Sequence, residues 1–401
     1  MTPCGRAVKL LAVLALLSCR EPPREAFDAG PVTADGAHPA VRLVWDRTLD
    51  VAGESPGHLL VAGERLLAIT DRAAHLLDDE GRALWRAPLP GSPGGALVTS
   101  AASDGAGFGA TLRWTDPGSA VAAGTYFARS DAVGRLSPAT FERLTAVAGV
   151  ARVDWDGQGY LALHASPTGG ELELRADRFV VGAGVDSRRL QGGLSLELRL
   201  GGVAARPQVA LCTVEPDGDV TLRRYAASGA PSLAPHLAAQ QRTVGHCQLA
   251  ASERSWLVGF TVAAAVRRPD AGSGDGGLMA LSFDVPAAQL VTADGRVLPA
   301  PARLSALPGV VRIETMIWDG RRYLVLLNAP GLRGGRLALT VVDEQGQSRC
   351  DLTIPLRYEP GQLGAAQLAL VDRALYLLYA SRLPWDDEPL LHLARLEIVD
   401  S

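Results

Sequence analysis

Short segments of alternating apolar and polar residues, separated by Gly and Asp turns, recur along most of the chain. One unit is a turn followed by an apolar strand with an aromatic residue near its start, as in WDGQGYLALHA at 155–165 and WDGRRYLVLLNA at 318–329. A second unit is an apolar strand that runs into an Asp/Gly turn, as in HLLDDEGRALW at 75–85 and QLVTADGRVL at 289–298. Glycine permits the positive φ of a tight hairpin turn. Together the two units predict a four-stranded sheet.

The first unit recurs at a regular interval. Each copy has a large apolar or aromatic residue near the start of its strand, and these residues are Leu66, Phe108, Tyr160, Trp256, Tyr323 and Tyr376. The gaps between them are 42, 52, 96, 67 and 53 residues, and the gap of 96 is close to two periods. A period near 50 residues predicts about seven units, and six to eight remain compatible. The 67-residue gap contains RRPDAGSGDGG at 267–277, which we interpret as an extended loop.

Repeated four-stranded units of this length predict an all-β fold, a β-propeller of about seven blades over residues 41–401. A tandem of β-sandwiches is the structural alternative, but it would space strands every 8 to 12 residues without a longer period. A propeller ring is commonly closed by a blade that uses both chain ends. The segments VRLVWDRTL at 41–49 and LLHLARLEIV at 390–399 are predicted to pair in this way.

The WDGxxYL units resemble the degenerate propeller repeats of exported bacterial proteins, and HLLDDEGRALW resembles the quinoprotein-type propeller repeat. The Trp-Asp pairs invite comparison with WD repeats, in which the dipeptide ends the third strand. Here Trp155 and Trp318 precede a strand. We therefore interpret each pair as a turn with a packing aromatic side chain.

The first residues, MTPCGRAVKLLAVLALLSC, have the basic start and apolar centre of a signal peptide, predicted at 1–18. The apolar run Leu10–Leu17 is shorter than the roughly 20 residues that span a bilayer. The tetrapeptide LLSC resembles the lipobox of bacterial lipoproteins, which implies a lipid on Cys19 and attachment to a membrane. The alternative is cleavage nearby, with Cys19 an incidental thiol.

The segment after this cysteine is rich in Pro, Gly, Ala and charge, so residues 19–40 are predicted to form a flexible tether. Arg20 is not the Asp that retains many lipoproteins in the inner membrane. The resemblance therefore implies the outer membrane of a bacterial cell envelope, with the propeller on its periplasmic or surface face.

Composition excludes several kinds of chemistry. Without residues 1–18 the chain loses Arg6 and Lys9, so 37 basic residues face 43 acidic ones, a net charge of −6. Nucleic acid is an unsuitable partner for this charge. Lys9 is the only lysine, so Schiff-base, Walker-type and Ser-Lys chemistry is excluded from the mature chain.

Candidate chemistry is sparse. Cys212 and Cys247 could close a disulfide loop of about 36 residues in an oxidising compartment, or remain buried thiols. GESPG at 53–57 matches the GxSxG nucleophile pattern, but Pro56 lacks the N–H that an oxyanion hole requires, so we interpret it as a turn. Histidine and cysteine spacings predict no metal site and no cofactor. Four arginine pairs could bind carboxylates or anionic glycans, although Arg must also provide surface solubility in a chain without lysine.

These observations favour a lipid-anchored, non-enzymatic binding or scaffold protein whose partners are the membrane and envelope proteins or glycans. Catalytic residues are not predicted. The alternative is an envelope enzyme, a glycan lyase or hydrolase, with its site at the mouth of the propeller channel. It predicts perturbed carboxylates converging on one pocket.

Overall fold

The computed structural model describes most of the chain from residue 40 to residue 399. The described residues are 40–91, 95–115, 121–131, 134–147, 149–180, 184–226, 236–239, 243, 245–267, 280–298, 302–305, 311–330, 335–358, 360, 366–381 and 389–399. The predicted signal peptide, Cys19 and nearly all of the predicted tether lie outside these residues. So do residues 268–277 of the predicted loop.

The strands form seven antiparallel sheets of four strands each, numbered here as blades 1 to 7. Blade 1 contains β2 (Pro56–Ala62), β3 (Arg65–Thr70), β4 (Ala73–Leu77) and β5 (Ala83–Pro88). Blade 2 contains β6 (Ala96–Ser103), β7 (Phe108–Trp114), β8 (Gly124–Arg129) and β9 (Glu142–Thr145), with a short 3₁₀ helix at Pro138–Thr140. Blade 3 contains β10 (Ala151–Trp155), β11 (Gly159–Thr168), β12 (Glu171–Val180) and β13 (Gly184–Leu194).

The second half of the ring follows the same order. Blade 4 contains β14 (Arg199–Ala204), β15 (Val209–Val214), β16 (Val220–Tyr225) and β17 (His236–Ala239). Blade 5 contains β18 (Gln248–Ala251), β19 (Ser255–Arg267), β20 (Ala280–Thr292) and β21 (Ala302–Arg303). Blade 6 contains β22 (Arg312–Trp318), β23 (Tyr323–Pro330), β24 (Gly335–Val342) and β25 (Ser348–Thr353). Blade 7 contains β26 (Gln367–Val371), β27 (Ala374–Ser381), β28 (Leu390–Val399) and, as its outermost strand, β1 (Ala40–Ala52).

Blade 7 closes the ring with strands from both chain ends. β1 pairs antiparallel with β28, from Ala40 opposite Val399 to Ala52 opposite Leu390. The Tyr379 hydroxyl on β27 donates a hydrogen bond of 2.7 Å to Asp46 on β1. The predicted pairing of the two terminal segments is therefore confirmed, and a tandem of β-sandwiches is excluded because the sheets form one closed ring.

The first strand of every blade lies innermost. Each of these strands contacts the first strands of both neighbouring blades, in the order β2, β6, β10, β14, β18, β22, β26 and back to β2. Seven innermost strands therefore enclose a central channel, and the predicted propeller of about seven blades is confirmed with seven.

The Trp-Asp-Gly segments form the turns that the sequence predicts. In blade 3 the Asp156 carboxylate accepts the backbone N–H groups of Gln158 and Gly159, each at 2.8 Å. Gly157, between Asp156 and Gln158, has φ +96°, a conformation that suits glycine. The preceding Trp155 packs against Tyr160, with ring centroids 4.8 Å apart. The dipeptide therefore starts a hairpin rather than ending a third strand.

The hydrophobic core lies between the blades, because each sheet buries its two faces against its neighbours. Leu66 of blade 1, for example, packs in one cluster with Tyr376 and Leu391 of blade 7. Trp256 of blade 5 packs with Leu222 of blade 4. Within the described ranges, no helix is long and apolar enough to cross a membrane.

Candidate functional site

Polar residues occupy one level of the innermost strands, where the sheets have no further strand to cover them. The residues that mark the blade period on the second strands of blades 1, 3 and 5 are Leu66, Tyr160 and Trp256. The residues three positions later are Ile69, Leu163 and Gly259, and they lie opposite His58, Arg152 and Gln248, respectively. Gln367 lies within one residue of this level, opposite Leu378. We call six residues at this level the channel ring: His58, Thr99, Arg152, Gln248, Glu314 and Gln367.

Two members of the channel ring are placed by β-bulges. Register shifts separate Val98 from Ser100 in β6 and Ile313 from Thr315 in β22, which leaves Thr99 and Glu314 without a paired partner on the second strand. A bulge adds one residue to a strand and redirects its side chain. All six side chains are partly exposed, although they lie on the central strands. Solvent therefore reaches them through the channel.

Blade 4 contributes glycine at this level instead of a polar side chain. Gly201 and Gly202 lie in the bulge of β14, between Leu200 and Val203. A Cβ atom on Gly201 would lie 2.3 Å from the sulfur of Cys247, and one on Gly202 would lie 2.4 Å from the backbone nitrogen of Leu249. These glycines allow the close approach of β14 to blade 5 and leave the Gly201 carbonyl open toward blade 3.

Arg152 links three innermost strands. Its Nε donates to the carbonyl oxygen of Gly201 at 2.7 Å, and its Nη1 donates to the carbonyl oxygen of Thr99 at 2.6 Å. No carboxylate among the residues that the structure describes pairs with this guanidinium. Burial lowers its pKa to about 10, so the group still carries its charge at neutral pH. Arg152 is therefore a positive charge on an innermost strand that no carboxylate of the described residues neutralises.

His58 lies close enough to be affected by this charge. Burial and the positive charge of Arg152 together lower its pKa to about 4, although the nearby Val98 carbonyl raises it. His58 is therefore neutral at neutral pH. A neutral imidazole has one donor nitrogen and one acceptor nitrogen.

Positive groups extend along this side of the channel into blades 4 and 5. The pKa of His246 is lowered by burial and by the charges of Arg152 and Arg199. Arg199, at the start of β14, donates to the carbonyl oxygen of Thr243 at 3.4 Å. The charges that act on His58 and His246 all come from arginines, so this sector of the channel is electropositive.

Glu314 occupies the opposite sector, three blades from Arg152. Burial raises the pKa of its carboxyl, while hydrogen bonds from the Asn328 side chain, at 3.1 Å, and the Ala366 backbone lower it. Arg312 also lowers it. The channel ring therefore has a positive side and a side with a carboxyl group of raised pKa.

Three other histidines have acidic or hydroxyl partners, but they are buried inside blades. His75 contacts Glu54, His164 contacts Asp177 at 2.9 Å, and Ser381 contacts His392 at 2.5 Å. The three imidazoles are at most 2 % exposed. The hydrogen bonds of these imidazoles lie inside single blades and stabilise them.

The structure places the predicted site residues as follows. Cys19 lies outside the described residues. Cys212 and Cys247, the pair considered for a disulfide, are bonded, with Cα atoms 6.2 Å apart. Their bond joins the second strand of blade 4 to the residue before the innermost strand of blade 5. No group of three or more metal-ligating side chains occurs in the part of the chain that is described.

The arginine pairs are largely engaged within the fold. Arg188 pairs with Asp186, Arg223 with Glu215 and Arg322 with Asp319. The GESPG segment was predicted to be a turn; it connects β1 to β2, and Pro56 and Gly57 already belong to β2. Its important residue is Glu54, which is buried and accepts three side-chain hydrogen bonds. Sequence reasoning missed Glu54 and the channel ring, since each of these residues is ordinary in its local context.

Comparison with known proteins shows the fold alone. No protein-family model matches the chain, and no curated protein matches it. Among solved structures it is similar to Kuenenia stuttgartiensis hydrazine synthase, with a TM-score of 0.50 and 9 % identity over 82 % of this chain and 94 % of that one. The N-terminal domain of Nup159 matches with a TM-score of 0.48 and 8 % identity, over 92 % and 97 % of the two chains. At 9 % identity the likeness to the hydrazine synthase concerns the propeller architecture and says nothing about activity.

Proposed function

We propose that this protein is a lipid-anchored binding propeller of the bacterial cell envelope, which holds a small ligand in its central channel. The channel ring is the observation that carries the binding role. It places one polar residue from each of six blades at one level of the channel wall, and one of them is a charged arginine that pairs with no carboxylate of the described residues. Convergent polar groups in a concave site are the usual basis for ligand recognition.

The envelope location is supported by the sequence. The signal-like segment ends at a lipobox-like LLSC, so Cys19 would carry the lipid and the following tether would separate it from the propeller. The Cys212–Cys247 disulfide fits an oxidising compartment outside the cytoplasm. The membrane is then the first partner, through lipid, and the channel ligand is the second.

Metabolic labelling tests the anchor. Cells that express the wild-type chain, Cys19→Ala or Cys4→Ala would be grown with a clickable palmitate analogue. We expect label on the wild type and on Cys4→Ala, whose substitution lies in the segment removed on maturation, and none on Cys19→Ala. Equal labelling of all three chains, or of none, contradicts the anchor.

A channel block tests the binding role. The full-length protein in mild detergent would be incubated with the low-mass fraction of the envelope and examined by native mass spectrometry. Gln248→Trp places a large side chain at the channel ring, and Leu84→Trp makes the same change on the outer strand β5, where Leu84 is 49 % exposed. We expect bound small molecules on the wild type and Leu84→Trp, and none on Gln248→Trp. An identical result for all three chains contradicts the channel as the site.

The second candidate function is a glycan lyase or hydrolase, and Glu314 is the observation that favours it. A carboxyl of raised pKa in a channel is suited to general acid catalysis. Most glycosidases, however, use two carboxyl groups, and Glu314 is the only one in the channel ring. Recovery of the bound molecules distinguishes the two functions. Cleavage by the wild type and not by Glu314→Gln would favour the enzyme, and recovery of intact molecules favours the binding protein.

A further inference from the structure

The strongest feature outside the established fold is the pair formed by His58 and Arg152 over the bulge of β6. The two side chains come from blades 1 and 3, and both reach strand β6 of the blade between them. The Val98 carbonyl lies close enough to His58 to raise the pKa of the imidazole, and Arg152 donates to the carbonyl of the next residue, Thr99. Two adjacent carbonyl groups therefore bring an imidazole and a guanidinium together at the channel wall.

The guanidinium retains donors that the protein does not use. An arginine side chain has five N–H groups, and two of these are engaged by the Gly201 and Thr99 carbonyls. Two N–H groups on Nη2 and one on Nη1 remain, and the described residues supply no acceptor for them. The terminal edge of a guanidinium matches the two oxygens of a carboxylate in a bidentate pair.

The surroundings favour a negatively charged ligand. Among the charges acting on His58, Arg152 and His246, none comes from a carboxylate of the described chain, and Arg199 adds a second positive group. A partly buried positive charge without a counter-ion is costly in the free protein. A ligand that supplies an oxyanion at this position relieves that cost, which makes binding of an anion favourable.

The neutral imidazole of His58 places a second requirement on the ligand. Since His58 is neutral, one of its ring nitrogens can only accept a hydrogen bond. The amide groups of Gln248 and Gln367, which have no side-chain partner within the described ranges, can both donate and accept. A hydroxyl group next to the oxyanion satisfies the imidazole, and further hydroxyl groups satisfy the amides.

We propose that the channel binds a small hydroxylated carboxylate, the chemistry of a sugar acid, with its carboxylate on the free edge of Arg152 and a hydroxyl donated to His58. This inference rests on the proposed function, because it names the ligand of the same channel. Arg152 is then both a tie between strands and the recognition residue, and His58 selects for the hydroxyl.

Calorimetric titration of the full-length protein in detergent tests the proposal with four probes. D-Glucuronate carries both groups, D-glucose lacks the carboxylate, acetate lacks the hydroxyls, and inorganic phosphate is an oxyanion of another shape. We expect D-glucuronate to bind best, with the affinity for each other probe reduced by about tenfold or more. Equal or tighter binding of D-glucose or phosphate overturns the assignment.

Variants test the two residues separately. Arg152→Met should reduce D-glucuronate affinity by about 10- to 100-fold, the loss typical of a charged hydrogen bond. Arg296→Met is the matched control, because Arg296 is an exposed arginine with a side chain 81 % accessible, and it should bind as the wild type does. An unchanged affinity in Arg152→Met overturns the proposal.

His58→Phe keeps the proposal testable if Arg152→Met fails to fold, because the strand ties of Arg152 remain intact. It should weaken D-glucuronate binding and leave acetate binding unchanged, since only the sugar acid donates a hydroxyl to the imidazole. Equal losses for both probes, or none, overturn the role of His58. Loss of envelope ligands in Gln248→Trp together with no binding of D-glucuronate would refute this inference while leaving the proposed function intact.

Discussion

Glu54 is a buried carboxylate whose removal should weaken blade 1 strongly. It accepts hydrogen bonds from Thr70 at 2.6 Å, His75 at 2.8 Å and Arg86 at 2.6 Å. Its three partners lie on β3, β4 and β5, so one side chain joins the three outer strands of the blade. Glu54→Gln removes the negative charge and turns an amide N–H group toward donors.

The lowered pKa of Glu54 gives the expected size of the stability loss in Glu54→Gln. Burial raises it, but the hydrogen bonds from His75, Thr70 and Arg86 outweigh burial and lower it from 4.5 to about 2. A difference of this size corresponds to about 3 kcal/mol of stability at neutral pH. Because the folded pKa lies below the unfolded value, this stability is fully present above pH 5 and is lost as the pH falls toward 2. We expect Glu54→Gln to lose about 3 kcal/mol at pH 7 and correspondingly less at pH 3.

Denaturant unfolding followed by tryptophan fluorescence at pH 7, 5 and 3 measures this difference, from the shift in midpoint and the slope. Glu397→Gln is the matched control, because Glu397 pairs with Arg42 at the surface, where both side chains are exposed. An exposed pair contributes about 0 to 1 kcal/mol, so the control should unfold close to the wild type.

Two results would refute the reasoning about Glu54. The first is an unfolding free energy for Glu54→Gln at pH 7 that equals that of Glu397→Gln. The second is a deficit that stays constant from pH 7 to pH 3, because a lost charge must matter less once the wild-type carboxylate is protonated. A constant deficit would assign the effect to side-chain packing instead.

Two further changes test the packing of the ring, both by the denaturant midpoint. The double variant Cys212→Ala, Cys247→Ala should lose about 4 kcal/mol, from the entropy of a loop of this length, and added reductant should lower the wild-type midpoint but not that of the variant. Gly134→Ala should lose more than about 2 kcal/mol, because its Cβ would lie 2.0 Å from the Trp85 ring at φ +76°. Gly105→Ala, at φ +88° with no atom within 4 Å, should lose only about 1 kcal/mol, and equal losses would contradict the steric explanation.

The architecture was predictable because each blade repeats the same hydrophobic requirement. Leu66, Tyr160, Trp256 and Tyr323 are all 0 % exposed, so the aromatic or apolar residue that starts each second strand marks the blade period in the sequence. The gap of 96 residues arises because the second strand of blade 4 begins at Val209, without an aromatic residue. The sequence was compatible with six to eight blades, and the closed ring of the structure fixes the number at seven.

The channel ring was not predictable from alternation, because bulges change which way side chains point. Thr99 and Glu314 each occupy an extra position in their strands, and period-two patterning assigns such residues to the wrong face. Arg152 stands in ARVDWDG, where it looks like a polar residue on an ordinary strand. Its two carbonyl acceptors are 53 and 49 residues away in the chain.

Within each blade, some positions have the same character around the whole ring and others differ from blade to blade. Positions that face a neighbouring blade must be apolar, since the core lies there, and they vary little in character around the ring. The side chains of the channel ring are partly exposed and contact neighbouring blades through hydrogen bonds, so equivalent positions hold His, Thr, Arg, Gln and Glu while blade 4 has Gly. A fold of near-identical units can therefore carry a single asymmetric site, with a positive side at Arg152 and a carboxyl at Glu314. An unequal ring orients a ligand with two unlike ends, which a ring of identical residues cannot do.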